Sequence, residues 1–207
     1  MKKTIINLTV FIFFMHAAKS QKARIGFTAG STIANYKAKD SGFYRINELN
    51  VGFTAGLIIN IAAGKNSVIQ TGSNWVQKGT RNNAVAGSDK VSLTINSIEI
   101  PVNFLYTGHS GLFVGAGLSA SGAFSGKLKI NDRSESARIG NSNDDDLKRF
   151  DFGANVVAGY QSTRGFLVST NFNQGLNNLT TRDPENSSIK SHYFGIRIGY
   201  VLKSRKS

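Results

Sequence analysis

The sequence predicts an all-β protein, an eight-stranded antiparallel up-and-down transmembrane β-barrel, and three observations carry that prediction. Beyond residue 21, apolar residues recur at every second position, with no helical repeat sustained over three turns. The connections between the alternating segments are short and long in turn, as in a tube with turns at one rim and loops at the other. The N-terminus carries the three-part pattern of an export signal. Composition sets the outer bounds. The 207 residues are 40% hydrophobic and 18% charged, too apolar for a disordered chain and too interrupted for a bundle of membrane helices. Cysteine is absent, which removes disulfides, thiol nucleophiles, Cys-ligated zinc, iron–sulfur clusters and N-terminal acylation on cysteine.

The signal pattern begins with Met1-Lys2-Lys3, continues through an apolar run ending Phe11-Ile12-Phe13-Phe14-Met15, and finishes on Ala18-Lys19-Ser20. Small residues at the −3 and −1 positions predict cleavage after Ser20. The run is too short for a retained membrane helix, which needs about 20 apolar residues. Residues 1–20 are thus expected to be a cleaved signal peptide and 21–207 one outer-membrane β-barrel domain. Losing Lys2, Lys3 and Lys19 lowers the net charge from +13 to +10. Export argues against nucleic acid as the partner of this basic chain. Lipid headgroups and lipopolysaccharide phosphate suit the charge, and solvated loops account for it equally.

Strands are expected near 23–34, 51–61, 68–78, 91–106, 112–124, 149–160, 165–176 and 190–202. In the second, Val51, Phe53, Ala55, Leu57, Ile59 and Ile61 alternate with Gly52, Thr54, Gly56, Ile58, Asn60 and Ala62. In the sixth, Phe150, Phe152, Ala154, Val156, Ala158 and Tyr160 share one face. In the last, His192, Phe194, Ile196, Ile198, Tyr200 and Leu202 oppose Tyr193, Gly195, Arg197, Gly199 and Val201. The third strand alternates least clearly, because Thr71 and Ser73 accompany Trp75. The fourth shifts its apolar phase near Asn96-Ser97, which predicts a β-bulge. Segments 63–67, 107–111 and 161–164 read as tight turns. Segments 35–50, 79–90, 125–148 and 177–189 read as long polar loops.

The apolar faces must point outward. Their opposite faces carry Gly, Thr, Asn and charges, too small and polar for a dry core, so lipid has to supply the apolar contact. Aromatic residues fall at two levels. Tyr106, Tyr160 and Tyr200 sit beside the short turns, and Trp75, Phe150, Phe172 and Phe194 lie toward the long loops. Two such belts are the expected interfacial girdles.

The residues Ile98-Glu99-Ile100-Pro101-Val102, Leu112-Phe113-Val114-Gly115-Ala116-Gly117, Arg149-Phe150-Asp151-Phe152-Gly153, Asn171-Phe172-Asn173-Gln174-Gly175-Leu176-Asn177-Asn178 and Tyr193–Leu202 resemble the Bacteroidota outer-membrane β-barrel family that includes PorT-like proteins. The resemblance covers 21–202. It implies a monomeric barrel in the outer membrane of a Gram-negative bacterium, inserted by the barrel-assembly machinery. For some members it implies an association with proteins that secrete cargo across that membrane. Two positions depart from the family pattern. Asn171 stands where arginine is frequent, and Leu202 is followed by Lys203-Ser204-Arg205-Lys206-Ser207 rather than ending the chain on an aromatic.

Four charges, Arg24, Glu99, Asp151 and Arg197, are expected to project into the lumen. Two of each sign can neutralise one another, so they form either a salt-bridged plug or a gate along a narrow ion path. The plug is favoured because eight strands leave an interior that side chains fill. Pro101 is a puzzle, since a closed barrel has no edge strand to hold a residue without an N–H. No catalytic residues, metal ligands or cofactor are expected. His192 and Ser191 are neighbours on opposite faces, with no acid to orient a base, which disfavours a lipid-cleaving enzyme. The run Asp144-Asp145-Asp146 lacks the spaced oxygens of a calcium loop. A structural or interaction role leads, a small pore comes second and a lipid-modifying enzyme third.

Overall fold

The computed structural model describes residues 23–39, 48–82, 91–131, 133–140, 142, 145–181 and 188–202. The expected signal peptide lies outside them. Eight strands build the barrel: β1 (Ala23–Lys39), β2 (Glu48–Ala62), β3 (Ser67–Asn82), β4 (Val91–Thr107), β5 (Leu112–Ile130), β6 (Phe150–Gln161), β7 (Phe166–Gly175) and β8 (Ser188–Val201). Each pairs antiparallel with the next, and β8 closes on β1 from Val201 opposite Gly26 to Ser188 opposite Lys39. The tube has no edge. Three short turns join strands at one end, and in two of them Gly111 (φ +89°) and Gly165 (φ +102°) adopt the left-handed backbone that side chains resist.

Alternation decides which way each side chain points. Phe27, Phe53, Ile100, Val102, Phe104, Leu118, Phe152, Val156 and Ile198 are each more than half exposed on the outer wall. Thr28, Thr54, Asn74, Glu99, Asn155 and Asn173 are buried inside. Along β6, Phe150 and Tyr160 stand ten residues apart. At about 3.3 Å per residue and a tilt of about 40°, that spans about 25 Å, the height of an outer-membrane apolar band.

The strands run further toward the long loops than the pattern predicted. β1 reaches Lys39, β3 reaches Asn82 and β5 reaches Ile130. Above the bilayer both faces meet water, so alternation fades while the backbone ladder continues. Residues Arg133–Ser136 fold back on the end of β5, and Ile139–Gly140 pairs in parallel with Leu147–Lys148.

The apolar shift in β4 has another cause than a bulge in that strand. Inward residues remain odd-numbered throughout, through Ile95, Ser97 and Glu99. The extra residue lies in β5, where Ser97 faces Ala123 and Asn96 faces Ser125, leaving Phe124 unmatched. What changes is the lumen. At the long-loop end its wall becomes apolar, and Ile95 packs inward with Tyr36, Leu147 and Leu179.

A second apolar layer crosses the lumen near the short turns, made of Ile58, Leu105, Phe113, Val157, Leu167 and Val201. The expected inner face, too small and polar for a dry core, thus proves apolar at two levels. A polar middle is bracketed by two greasy layers.

Pro101 also finds its place. The β3–β4 ladder is continuous except opposite Pro101, where Gly72 and Ser73 have no partners. The Thr71 hydroxyl donates to the Pro101 carbonyl instead, at 2.8 Å. Meanwhile Pro101 keeps its register with Ser119 of β5. The ladder gives up a pair of rungs and the barrel stays closed.

Replacing Val156, outward and midway up β6, with arginine should destabilise the folded barrel in lipid vesicles by about 2–4 kcal/mol. Urea unfolding followed by the fluorescence of the single tryptophan, Trp75, measures it. An unchanged midpoint would mean that this wall does not face hydrocarbon.

Candidate functional site

The polar middle layer is organised by a charge that the sequence reading left out. Lys78 of β3 is inward by parity with Asn74 and Val76 and is only 3% exposed. Its Nζ lies 3.6 Å from Glu99 Oε2 and 3.4 Å from Asp151 Oδ2, so one ammonium bridges carboxylates of β4 and β6. Both carboxylates are further held from β8. The Tyr193 hydroxyl donates to Glu99 Oε1 at 2.6 Å, and the Ser191 hydroxyl donates to Asp151 Oδ2 at 2.5 Å. Arg197 Nη2 donates to the Tyr193 oxygen at 3.5 Å, and the Lys78 ammonium sits 5.0 Å from the centre of the Tyr193 ring. Tyr193 is fully buried, and its ring reaches across the lumen to connect the strands.

Of the four charges expected inside, Glu99, Asp151 and Arg197 belong to this network. Arg24 does not. It is the second residue of β1, exposed at the rim beside Asn60, Gln70 and Lys65. The lumen still balances two cations against two anions, with Lys78 in Arg24's place. Lys78 ends the expected third strand, 68–78, and parity with Asn74 and Val76 puts it inside, but Thr71 and Ser73 beside Trp75 blur which face of that strand is the inner one. Ser191 and Tyr193 carried no charge to draw attention.

Below the charges runs a carboxamide layer. Asn173 Nδ2 donates to Ser119 Oγ at 2.8 Å and to Asn155 Oδ1 at 2.6 Å. Asn171, where the family pattern favours arginine, is buried beside it. A voluminous arginine has no room there, because Arg197 already occupies this level with Asn171 and Asn155 around it. The voids of the polar middle and of the lid are about 20 Å³ each. Each has room for about one water.

The seven girdle aromatics all lie on the outer wall. Tyr106, Tyr160 and Tyr200 end their strands beside the short turns, and Phe172 and Phe194 face each other directly across β7 and β8. Trp75 ties its indole N–H to Asn96 Oδ1 at 3.2 Å, polar edge toward the loops. Ser191 and His192 point to opposite faces. The described carboxylates of the acidic run turn to their own loop: Asp145 accepts from the Ser142 amide and Asp146 from the Arg138 amide. Asp144 lies outside the described residues.

The family described as the outer membrane protein beta-barrel domain matches residues 18–181. The chain belongs to that family. It is an outer-membrane β-barrel protein, and the matched stretch contains seven of its eight strands; β8 follows and completes the cylinder. No curated protein matches the chain. Among solved structures, this barrel is similar to Ail, the attachment invasion locus protein of Yersinia pestis, at 12% identity over 87% of this chain and 99% of that one, with a TM-score of 0.47. It is also similar to Neisserial surface protein A, at 13% identity over 86% and 98%, TM-score 0.49. OprG from Pseudomonas aeruginosa matches at 7% identity over 88% and 97%, TM-score 0.48. Closure of the outer-membrane barrel rests on its own ladder pairs rather than on these likenesses.

Removing the shared cation strands two buried carboxylates. Lys78→Met should destabilise the barrel by about 3–5 kcal/mol. Combining it with Glu99→Gln and Asp151→Asn should recover most of that loss in the same urea measurement. Equal stability of the single and triple variants would show that the three charges do not act together.

Proposed function

We propose that this outer-membrane barrel is a plugged, non-enzymatic structural or interaction protein, whose work is done at its two rims. The observation that carries the reading is the Lys78–Glu99–Asp151 bridge, braced by Tyr193 and Ser191. Between the apolar layers above and below it, the voids beside these charges are water-sized. An ion would have to displace paired charges and then cross two greasy layers, each a barrier to a hydrated ion. Ser191, the serine beside His192 in sequence, is engaged by Asp151 inside the lumen and turned away from His192. That supports a role without hydrolysis.

On this reading the chain is exported through a cleaved signal, inserted by the barrel-assembly machinery and held as a monomer. Lipid contacts both aromatic girdles, and lipopolysaccharide phosphate meets the basic outer loops. The PorT-like resemblance extends the proposal to an association with secretion proteins.

Planar-bilayer recording tests the plug. The purified barrel should give no steady conductance steps, and the triple variant, which lacks the charges of Lys78, Glu99 and Asp151, should also stay closed. Steady steps in the unmodified protein that vanish when Arg197 is neutralised would replace the plug with a gated ion path.

A further inference from the structure

The charges of this chain are sorted along the barrel axis. The sequence has twelve carboxylate side chains. Two of them, Glu99 and Asp151, are bound by Lys78. In sequence the other ten fall between or at the ends of strands joined by the long connections, and among the described residues no carboxylate is at the short-turn end. That end carries Arg24, Lys65 and Arg164; in sequence, Lys22 precedes β1, and Lys203, Arg205 and Lys206 follow β8.

At its centre is a blind vestibule of about 540 Å³, open to water along the axis. Its size is that of a ligand pocket. Leu105, Phe113 and Val68, part of the lower apolar layer, form its floor. Arg24 and Lys65 stand at the wall, and neither has a hydrogen-bond or ion-pair partner among the described residues. No carboxylate lines the space. Two cations at a concave mouth whose described lining holds no counter-charge raise a positive potential there.

The wall also carries a relay of carboxamides. Gln70 Nε2 donates to Asn60 Oδ1 at 3.0 Å, and Asn60 Nδ2 donates to Gln161 Oε1 at 3.5 Å. The relay uses neither the Gln70 carbonyl nor the Gln161 amide N–H groups. One acceptor and one donor set are thus presented at its two ends, the pairing that a peptide bond requires.

We propose that this vestibule binds an extended acidic peptide segment of a partner protein, end-on. Its carboxylates pair with Arg24 and Lys65, its backbone with Gln70 and Gln161, and an apolar side chain rests on Leu105 and Phe113. The proposal deepens the interaction reading above and depends on it. The chain's own flanking segments have the wrong sign to fill the site. A lipid headgroup is disfavoured by geometry: the lining residues face the lumen, whereas the membrane meets the other side of the rim, at Tyr106, Tyr160 and Tyr200.

The test uses the mature barrel in nanodiscs of neutral phosphatidylcholine and a fluorescein-labelled hexapeptide alternating glutamate with leucine. Fluorescence anisotropy should show saturable binding, absent for the peptide with glutamine in place of glutamate. Arg24→Gln with Lys65→Gln should weaken binding about tenfold or more. Gly108→Trp should do the same without changing charge. A side chain there meets only ordinary contacts, the nearest atom lying 3.6 Å from an added Cβ, and it fills the mouth. Arg164→Gln, on a turn outside the lining, should change little. Three outcomes overturn the site: equal binding of the glutamine peptide, an Arg164→Gln loss as large as the vestibule loss, or binding that survives Gly108→Trp. Displacement of the peptide by phosphatidylglycerol vesicles at equal charge assigns the vestibule to lipid and also overturns it. Conductance of the unmodified barrel is a separate readout, so failure of the plug and failure of this site are distinguishable.

Discussion

Hydrocarbon offers the backbone no hydrogen-bond partners, and every other feature of this protein follows from meeting that constraint by closure. An open sheet of eight strands would leave two rows of unpaired amides and carbonyls in lipid, each group costing several kcal/mol. The β1–β8 ladder removes both rows at once. Once the cylinder is closed, alternate residues have only two destinations, lipid or lumen, and the chain's period of two becomes a sorting rule. Pro101 marks how much local irregularity the closed form absorbs. The missing rungs are on the β3 side alone, a threonine hydroxyl takes up the carbonyl, and the β5 side holds the register.

A narrow closed tube creates the second problem, how to fill a space surrounded by polar backbone and small side chains. Large polar groups placed there must satisfy one another, because no bulk solvent reaches them. Lys78 does so for two carboxylates, and the hydroxyls of Tyr193 and Ser191 add one hydrogen bond to each acid. Four strands are thereby crosslinked through the axis. The apolar layers at either end keep water from competing for these contacts, which strengthens them, and equally makes any broken contact expensive. Seal and network therefore depend on each other: the polar core without its lids would hydrate, and the lids without the core would leave a void between them.

Period and phase made the eight strands, the outward face and both aromatic levels legible, because each rests on residues adjacent in one strand. Val51 to Ile61 and Phe150 to Tyr160 are sufficient in isolation to say which side meets lipid. Contacts across the lumen are another matter. Glu99 and Asp151 could be placed inside from parity, but their partner could not be chosen, since Lys78 meets them from a strand whose pattern is blurred by Thr71 and Ser73. Arg24 was inward by the same rule yet stands too near the rim to reach them. The apolar shift at Val91, Leu93 and Ile95 was visible and was misassigned to β4, because nothing local distinguishes a strand that turns over from a lumen that changes character. Only the distant Tyr36, Leu147 and Leu179, brought together above the mouth, make the second explanation available.

The axial sorting of charge has no such structural origin. Barrel closure is indifferent to the sign of a rim residue, and both rims are solvated. Stability alone would scatter acids among Arg24, Lys65 and Arg164, since unrelieved like charges repel across the short-turn end. Screening at physiological salt limits that repulsion to a range of about 8 Å. A rim that keeps Arg24 and Lys65 unpaired around a blind pocket, with no carboxylate of the described residues at that end, retains an electrostatic cost that the fold does not need. Such a cost is coherent if charge from another molecule relieves it, and the floor of Leu105 and Phe113 limits how deep that molecule goes. The plug and the pocket are then one construction: the layer that seals the lumen against ions is also the surface on which a partner segment comes to rest.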